Sequence, residues 1–120
     1  MSYIDNELRR IEATHVIIFL GTNDAIRGSA SAAISNLQEM VNIANTQNVS
    51  IIIATLPIIT TSNSQNERAA EISNAIRGFS GVQVADIRTS LGDGSGVLAD
   101  GIHPNNTGQQ IIADTMATFF

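Results

Sequence analysis

His15-Val16-Ile17-Ile18-Phe19-Leu20-Gly21-Thr22-Asn23-Asp24 is the stretch on which the fold turns. Six uncharged residues, mostly β-branched or aromatic, run without a break and stop at a glycine followed by three small polar residues. A continuous apolar run of this length, closed by turn-forming residues, predicts a strand over His15–Leu20 buried on both faces, as in a parallel sheet. The Gly21–Gly28 segment then reads as a loop at the carboxyl end of that strand. The bland reading of Gly21-Thr22-Asn23-Asp24 is a strand-ending turn that caps the next element. The functional reading is an oxyanion site, in which the Asn23 amide donates a hydrogen bond to developing negative charge.

Two more runs of the same kind follow, Val49–Leu56 and the weaker Val82–Ile87. Helical spacing fills the intervals. Ile4, Leu8 and Ile11 recur before the first strand; Ile34, Leu37, Met40, Val41 and Ala44 follow it. Ala69, Ile72, Ile76 and Phe79 follow the second strand, with Ser64 and Glu67 at capping-box spacing. Ile111, Ile112, Met116 and Phe119 mark a last helix from about Thr107, where Thr107 and Gln110 repeat that spacing. The predicted order α-β-α-β-α-β-loop-α argues a single α/β domain over residues 1–120, its sheet parallel and its crossovers right-handed. Ligands of open α/β sheets bind beyond the carboxyl ends of the strands. Three segments lie there: Gly21–Gly28, Pro57–Asn66 and the long, glycine-containing Arg88–Asn106.

Composition narrows the function classes. The chain has 120 residues, 43% hydrophobic and 14% charged, which is globular and not disordered. It has no cysteine, so neither a disulfide framework nor a thiolate metal site is open to it. The formal charge is −5, and the six basic residues are all arginines scattered along the chain. Nothing in that pattern neutralises a phosphate backbone or an anionic membrane surface, so neither nucleic acid nor membrane is an expected partner. No apolar run approaches the roughly 20 residues of a membrane helix. The first residues, Met1-Ser2-Tyr3-Ile4-Asp5-Asn6-Glu7, are polar and acidic and do not read as a signal peptide, so a cytoplasmic location is expected.

A second motif precedes the last helix: Asp100-Gly101-Ile102-His103-Pro104-Asn105. Its bland reading is an N-terminal turn in which Asn105, Asn106 or Thr107 caps the helix. Its functional reading rests on the carboxylate three residues before His103. Such a group can fix the imidazole tautomer and stabilise the imidazolium, leaving the other nitrogen as general base. His15, at the start of a buried-type strand, reads as structural, and the two histidines lack partners at metal-ligand spacing.

Taken together, the two motifs resemble the SGNH (GDSL-type) hydrolase family. Gly21-Thr22-Asn23-Asp24 is similar to its Gly-x-Asn-Asp block. Asp100-Gly101-Ile102-His103-Pro104-Asn105, with Gly108 beyond it, is similar to its Asp-x-x-His block. The resemblance extends over essentially the whole chain. It implies a flavodoxin-like three-layer α/β/α fold and ester or acyl hydrolysis without metal or organic cofactor. It also implies that Asn23 is an oxyanion donor with Gly21 shaping its turn, that His103 is the general base, and that Asp100 orients it.

The family's Gly-Asp-Ser block, which carries the nucleophile on the first strand, has no counterpart, nor has the second block with its glycine N–H. The near-match Gly92-Asp93-Gly94-Ser95 lies in the late loop, and Ser95 reads as a loop serine. Ser29 and Ser31 belong to a helix start, with Ser31 as its cap. The nucleophile is therefore unassigned, and a fold truncated to about three parallel strands is expected. A histidine–aspartate pair without a neighbouring hydroxyl has no acyl-enzyme route. In the family's strand order, 2-1-3-4-5, loss of the first two strands exposes His15–Leu20 as an apolar edge. Pairing of two such edges across a twofold axis predicts a homodimer. Three readings stay open: a serine esterase whose N-terminal part lies elsewhere, a non-catalytic oligomerising remnant of the fold, and a module binding a small ester in a crevice rebuilt across a dimer.

Overall fold

The computed structural model describes residues 14–120. The expected helix over Ile4, Leu8 and Ile11 lies outside them. Three parallel strands, β1 (His15–Ile18), β2 (Ser50–Ala54) and β3 (Gln83–Ala85), form one sheet in the order β1-β2-β3. Register pairs Val16 with Ile51 and Ile18 with Ile53, and on the other side Ile52 with Gln83 and Ala54 with Ala85. Between and after the strands come α1 (Thr22–Arg27), α2 (Ala30–Thr46), α3 (Asn63–Arg77), α4 (Ile87–Leu91) and α5 (Asn106–Ala117). This is the expected flavodoxin-like α/β arrangement, with three parallel strands and helices.

The central strand explains the layering. Ile51 and Ile53 point to one face and join Leu37, Val41, Ala69, Ile72 and Ile76 from α2 and α3. Ile52 and Ala54 point to the other, where Ile87, Leu91 and Val97 are buried and α5 adds Ile111, Ile112, Met116 and Phe119. Period-two alternation thus becomes two cores on one strand. Each fully buried isoleucine of β2 contributes about 1.5–3 kcal/mol. β1 departs from the expectation of burial on both faces. Ile18 is buried but Ile17 is 48% exposed, because among the described residues β1 pairs only with β2. His15 is exposed as well; its Nδ1 lies 3.0 Å from Thr14 Oγ1 and its ring 5.6 Å from that of Phe120.

Several boundaries differ from expectation for local reasons. The segment 21–28 is not a loop, since Thr22–Arg27 forms α1 and buries Ala25. Ile87 and Arg88 are helical, because the Asp86 carboxylate accepts from Thr89 N–H and so ends β3 and starts α4 inside the expected strand and loop. The caps move too. Ser29, not Ser31, caps α2, which brings Ala30 and Ala33 into the core. Ser62, not Ser64, caps α3, whereas α5 takes Asn105, one of its three expected caps. No helix among the described residues is long and apolar enough to cross a membrane.

Candidate active site

The two motifs meet at the carboxyl ends of the strands. They border one open cleft of about 510 Å³ that takes in Phe19, Leu20 and Gly21 to Asp24 on one side and Ile102, His103 and Pro104 on the other. All four candidate positions are placed by local chemistry. Gly21 adopts φ +122°, and a Cβ there would stand 3.3 Å from a Leu56 methyl, so the turn out of β1 requires glycine. That turn delivers Asn23 to the first turn of α1, exposed. The Asn23 side chain makes no hydrogen bond among the described residues, so its amide is left for a ligand.

Asp100 and His103 form a closed turn. Asp100 Oδ1 accepts from the backbone N–H groups of Ile102 (2.9 Å) and His103 (2.7 Å), and Oδ2 lies 2.7 Å from His103 Nδ1. The His103 backbone N–H, then its imidazole, then the Ile102 N–H hold the Asp100 carboxyl well below the usual carboxylate range. An ionised carboxylate only accepts, so the hydrogen between the two side chains sits on Nδ1 and Nε2 keeps its lone pair. This is the tautomer a general base needs. The pair is open to water, with the His103 side chain 74% and the Asp100 side chain 55% exposed. Hydrogen-bond geometry rather than a buried Coulomb attraction therefore fixes it.

The turn is tied to the body of the protein. The Gly101 carbonyl accepts from both the N–H (2.8 Å) and the hydroxyl (3.1 Å) of Thr60. Ala99 N–H donates to the His103 carbonyl at 2.8 Å, and Leu98 bridges Pro104. Asn105 caps α5 by accepting from Gly108 N–H at 2.9 Å. These supports escaped the sequence reading. Thr60 sits in a loop with no periodicity, and only the position of residues 57–66 beyond a strand end pointed to it.

Serines are elsewhere. Among the described residues none borders the cleft. Ser95 is exposed, its backbone N–H bound to Asp93 Oδ1 at 2.9 Å in a loop turn. Ser29 serves as a cap and lies 2.9 Å from Ser31. Among the described residues no arginine borders the cleft either, and no three of His, Cys, Asp and Glu gather as a metal would need.

The sequence model of the GDSL-like lipase/acylhydrolase family matches residues 2–111. Among curated proteins none matches the chain. Solved structures share its fold. A member of the lipolytic G-D-S-L family from Veillonella parvula has TM-score 0.84 at 22% identity, over 99% of this chain and 71% of its own. A carbohydrate esterase family 3 protein from Talaromyces cellulolyticus has TM-score 0.78 at 23% identity, over 97% and 61%. A GDSL-like lipase from Bacteroides thetaiotaomicron has TM-score 0.82 at 14% identity, over 98% and 67%. The chain thus spans about two thirds of the length of these proteins.

Proposed function

The chain belongs to the GDSL-like lipase/acylhydrolase family, and from that premise we propose that it carries the base and oxyanion half of an ester-hydrolase site, with no serine among the described residues facing it. His103 is the general base, Asp100 orients it, Asn23 is the oxyanion donor, and Gly21 sets the turn that presents Asn23. The observation that carries the reading is the 2.7 Å contact of Asp100 Oδ2 with His103 Nδ1, in a turn bordering the same cleft as Asn23. Without a serine the nucleophile is water. His103 Nε2 takes a proton as the water oxygen attacks the ester carbonyl, and the Asn23 amide donates to the oxyanion. Collapse expels the alkoxide, which takes the proton back from the imidazolium. With no acyl-enzyme, turnover is far slower than that of a complete serine hydrolase. Apolar Phe19, Leu20 and Ile102 beside the acidic Asp24 favour a small neutral ester over an anionic one.

Hydrolysis of p-nitrophenyl acetate tests this reading. The protein-catalysed rate is expected to vanish in His103→Ala and to fall about 100-fold in Asn23→Ala. Equal rates for wild type and His103→Ala would remove it.

The sheet edge favours a second, compatible reading, assembly of two copies. Residues 15–20 carry no Asp, Glu, Lys or Arg in a chain of net charge −5, and Ile17 and Leu20 are 48% and 54% exposed. An uncharged strand offers a charged partner no counter-charge. Across a twofold axis it pairs with itself, antiparallel and self-complementary. Light scattering at micromolar concentration is expected to give a dimer, and Ile17→Lys a monomer. A monomeric wild type would rule the assembly out.

A further inference from the structure

We infer that Thr60 is a positioning residue for the His103–Asp100 pair, acting through the Gly101 carbonyl and held in place by Arg88 and Asn66. The inference rests on the reading of His103 as base, but its evidence lies outside the catalytic blocks. The turn from Asp100 to His103 closes on itself through Asp100, so its internal bonds set its shape and not its place in the protein. Its place comes from neighbours. Ala99 and Pro104 hold its two ends to one another and to Leu98. The 57–61 loop reaches its middle, where Thr60 gives the Gly101 carbonyl two hydrogen bonds, from N–H at 2.8 Å and from Oγ1 at 3.1 Å, while the neighbouring Ile102 packs against the core.

The seat is close on both sides. Gly101 has φ +84°, and a Cβ there would stand 2.6 Å from Thr61 Cγ2 and 2.7 Å from Thr60 Oγ1. Nothing larger than glycine sits at position 101 without pushing that loop away. The loop is in turn anchored. Ile59 N–H donates to Asn66 Oδ1 at 3.1 Å, and Arg88 Nη2 donates to the same oxygen at 2.7 Å. Arg88 Nη1 donates to the Pro57 carbonyl at 3.2 Å, and Arg88 N–H to the buried Thr55 hydroxyl at 3.0 Å. Hydrogen bonds therefore link the end of β2 through Arg88 and Asn66 to Ile59, and its chain neighbour Thr60 carries the support on to Gly101, the residue next to Asp100. The two side chains of the pair are themselves exposed, so little packing bears on them directly. Small displacements of such a pair are costly to catalysis, and a support of this kind limits them.

The readout is the His103 ring itself, in full-length protein with 15N-labelled histidine at pH 8. Wild type is expected to show one Nδ1–H tautomer, with the two ring-nitrogen shifts far apart. Thr60→Val puts a methyl where a hydroxyl stood 3.1 Å from a carbonyl oxygen, and Thr60→Ala removes the hydroxyl without crowding. Both are expected to shrink the shift difference by about half as the ring samples both tautomers. Thr60→Ser, which keeps the hydroxyl, restores the wild-type spectrum. Should the valine variant fail to fold, the alanine and serine variants decide the matter. Wild-type ring shifts in folded Thr60→Ala would overturn the inference. Because the ring is read without turnover, a chain that shows no His103-dependent hydrolysis yet responds to Thr60→Ala loses the proposed activity and keeps the positioning.

Discussion

Gly108→Ala is expected to destabilise the protein by about 2 kcal/mol, seen as a lower urea midpoint with an unchanged slope. Gly108 is buried in the first turn of α5, and a Cβ there would collide with the Val97 carbonyl oxygen and stand 3.0 Å from Pro104 Cβ. Alanine favours a helix over glycine by about 1 kcal/mol, so propensity alone would make the change stabilising. Overpacking costs about 1–3 kcal/mol, and most when the obstructing atom is backbone. The Val97 carbonyl cannot swing aside, since it also accepts Asn105 N–H at 2.9 Å. The helix must move instead, taking Asn105 and Pro104 with it. The collision therefore outweighs the propensity gain. A stabilised Gly108→Ala would mean that α5 does not rest on residue 97 as described.

Asp86→Ala is expected to cost about 2–3 kcal/mol at neutral pH. One carboxylate performs three tasks. It caps α4, accepts from the fully buried Thr55 hydroxyl at 2.9 Å, and receives Arg77 Nε at 3.2 Å and Nη2 at 2.9 Å. The cap is worth about 1 kcal/mol and the orphaned hydroxyl about 1–2 more. The ion pair adds little, because both side chains are more than a third exposed. The same group makes stability depend on pH. Partial burial works to raise its pKa, but the hydrogen bonds from Arg77, Thr55 and Thr89 outweigh it and lower it from 3.8 to about 2. Between those values the unfolded chain binds the proton and the folded chain does not. The contribution is thus complete above about pH 4 and is lost as pH falls toward 2. Asp93 and Asp100 are lowered as well and act with the same sign. Urea midpoints of wild type are expected to fall between about pH 4 and 2 by more than those of Asp86→Asn. Parallel curves would contradict the assignment.

What the sequence made legible follows from how the information is stored. The runs in β1 and β2 were readable because several β-branched residues in succession serve little except a buried strand. The long helices α2 and α3 repeat apolar residues over about three turns, and α5 over a shorter stretch, which sets a period. The six residues of α1 are too few to show one, and Ala25, their one buried residue, carries no signal alone. Caps were displaced by two residues because competing frames overlap. Ser62–Gln65 and Ser64–Glu67 have the same spacing, and tertiary contact decides between them by placing Asn66 under Ile59 and Arg88. Of the three caps open to α5, Asn105 is selected in the same way, with Gly108 lying on Val97. The site was legible where chemistry is compressed into adjacent residues, as in Asp100 and His103. Its supports were not, since Thr60 and Gly101 are 41 residues apart and meet only through the fold.

The most direct test of the account is the intact mass of the folded protein after incubation with a fluorophosphonate serine probe, with His103→Ala alongside. On the proposed reading, a cleft with a base and an oxyanion donor and no serine among the described residues bordering it predicts an unchanged mass for both proteins. An adduct of one probe per chain that disappears in His103→Ala, and maps to a serine of this sequence, would contradict it and name the missing nucleophile.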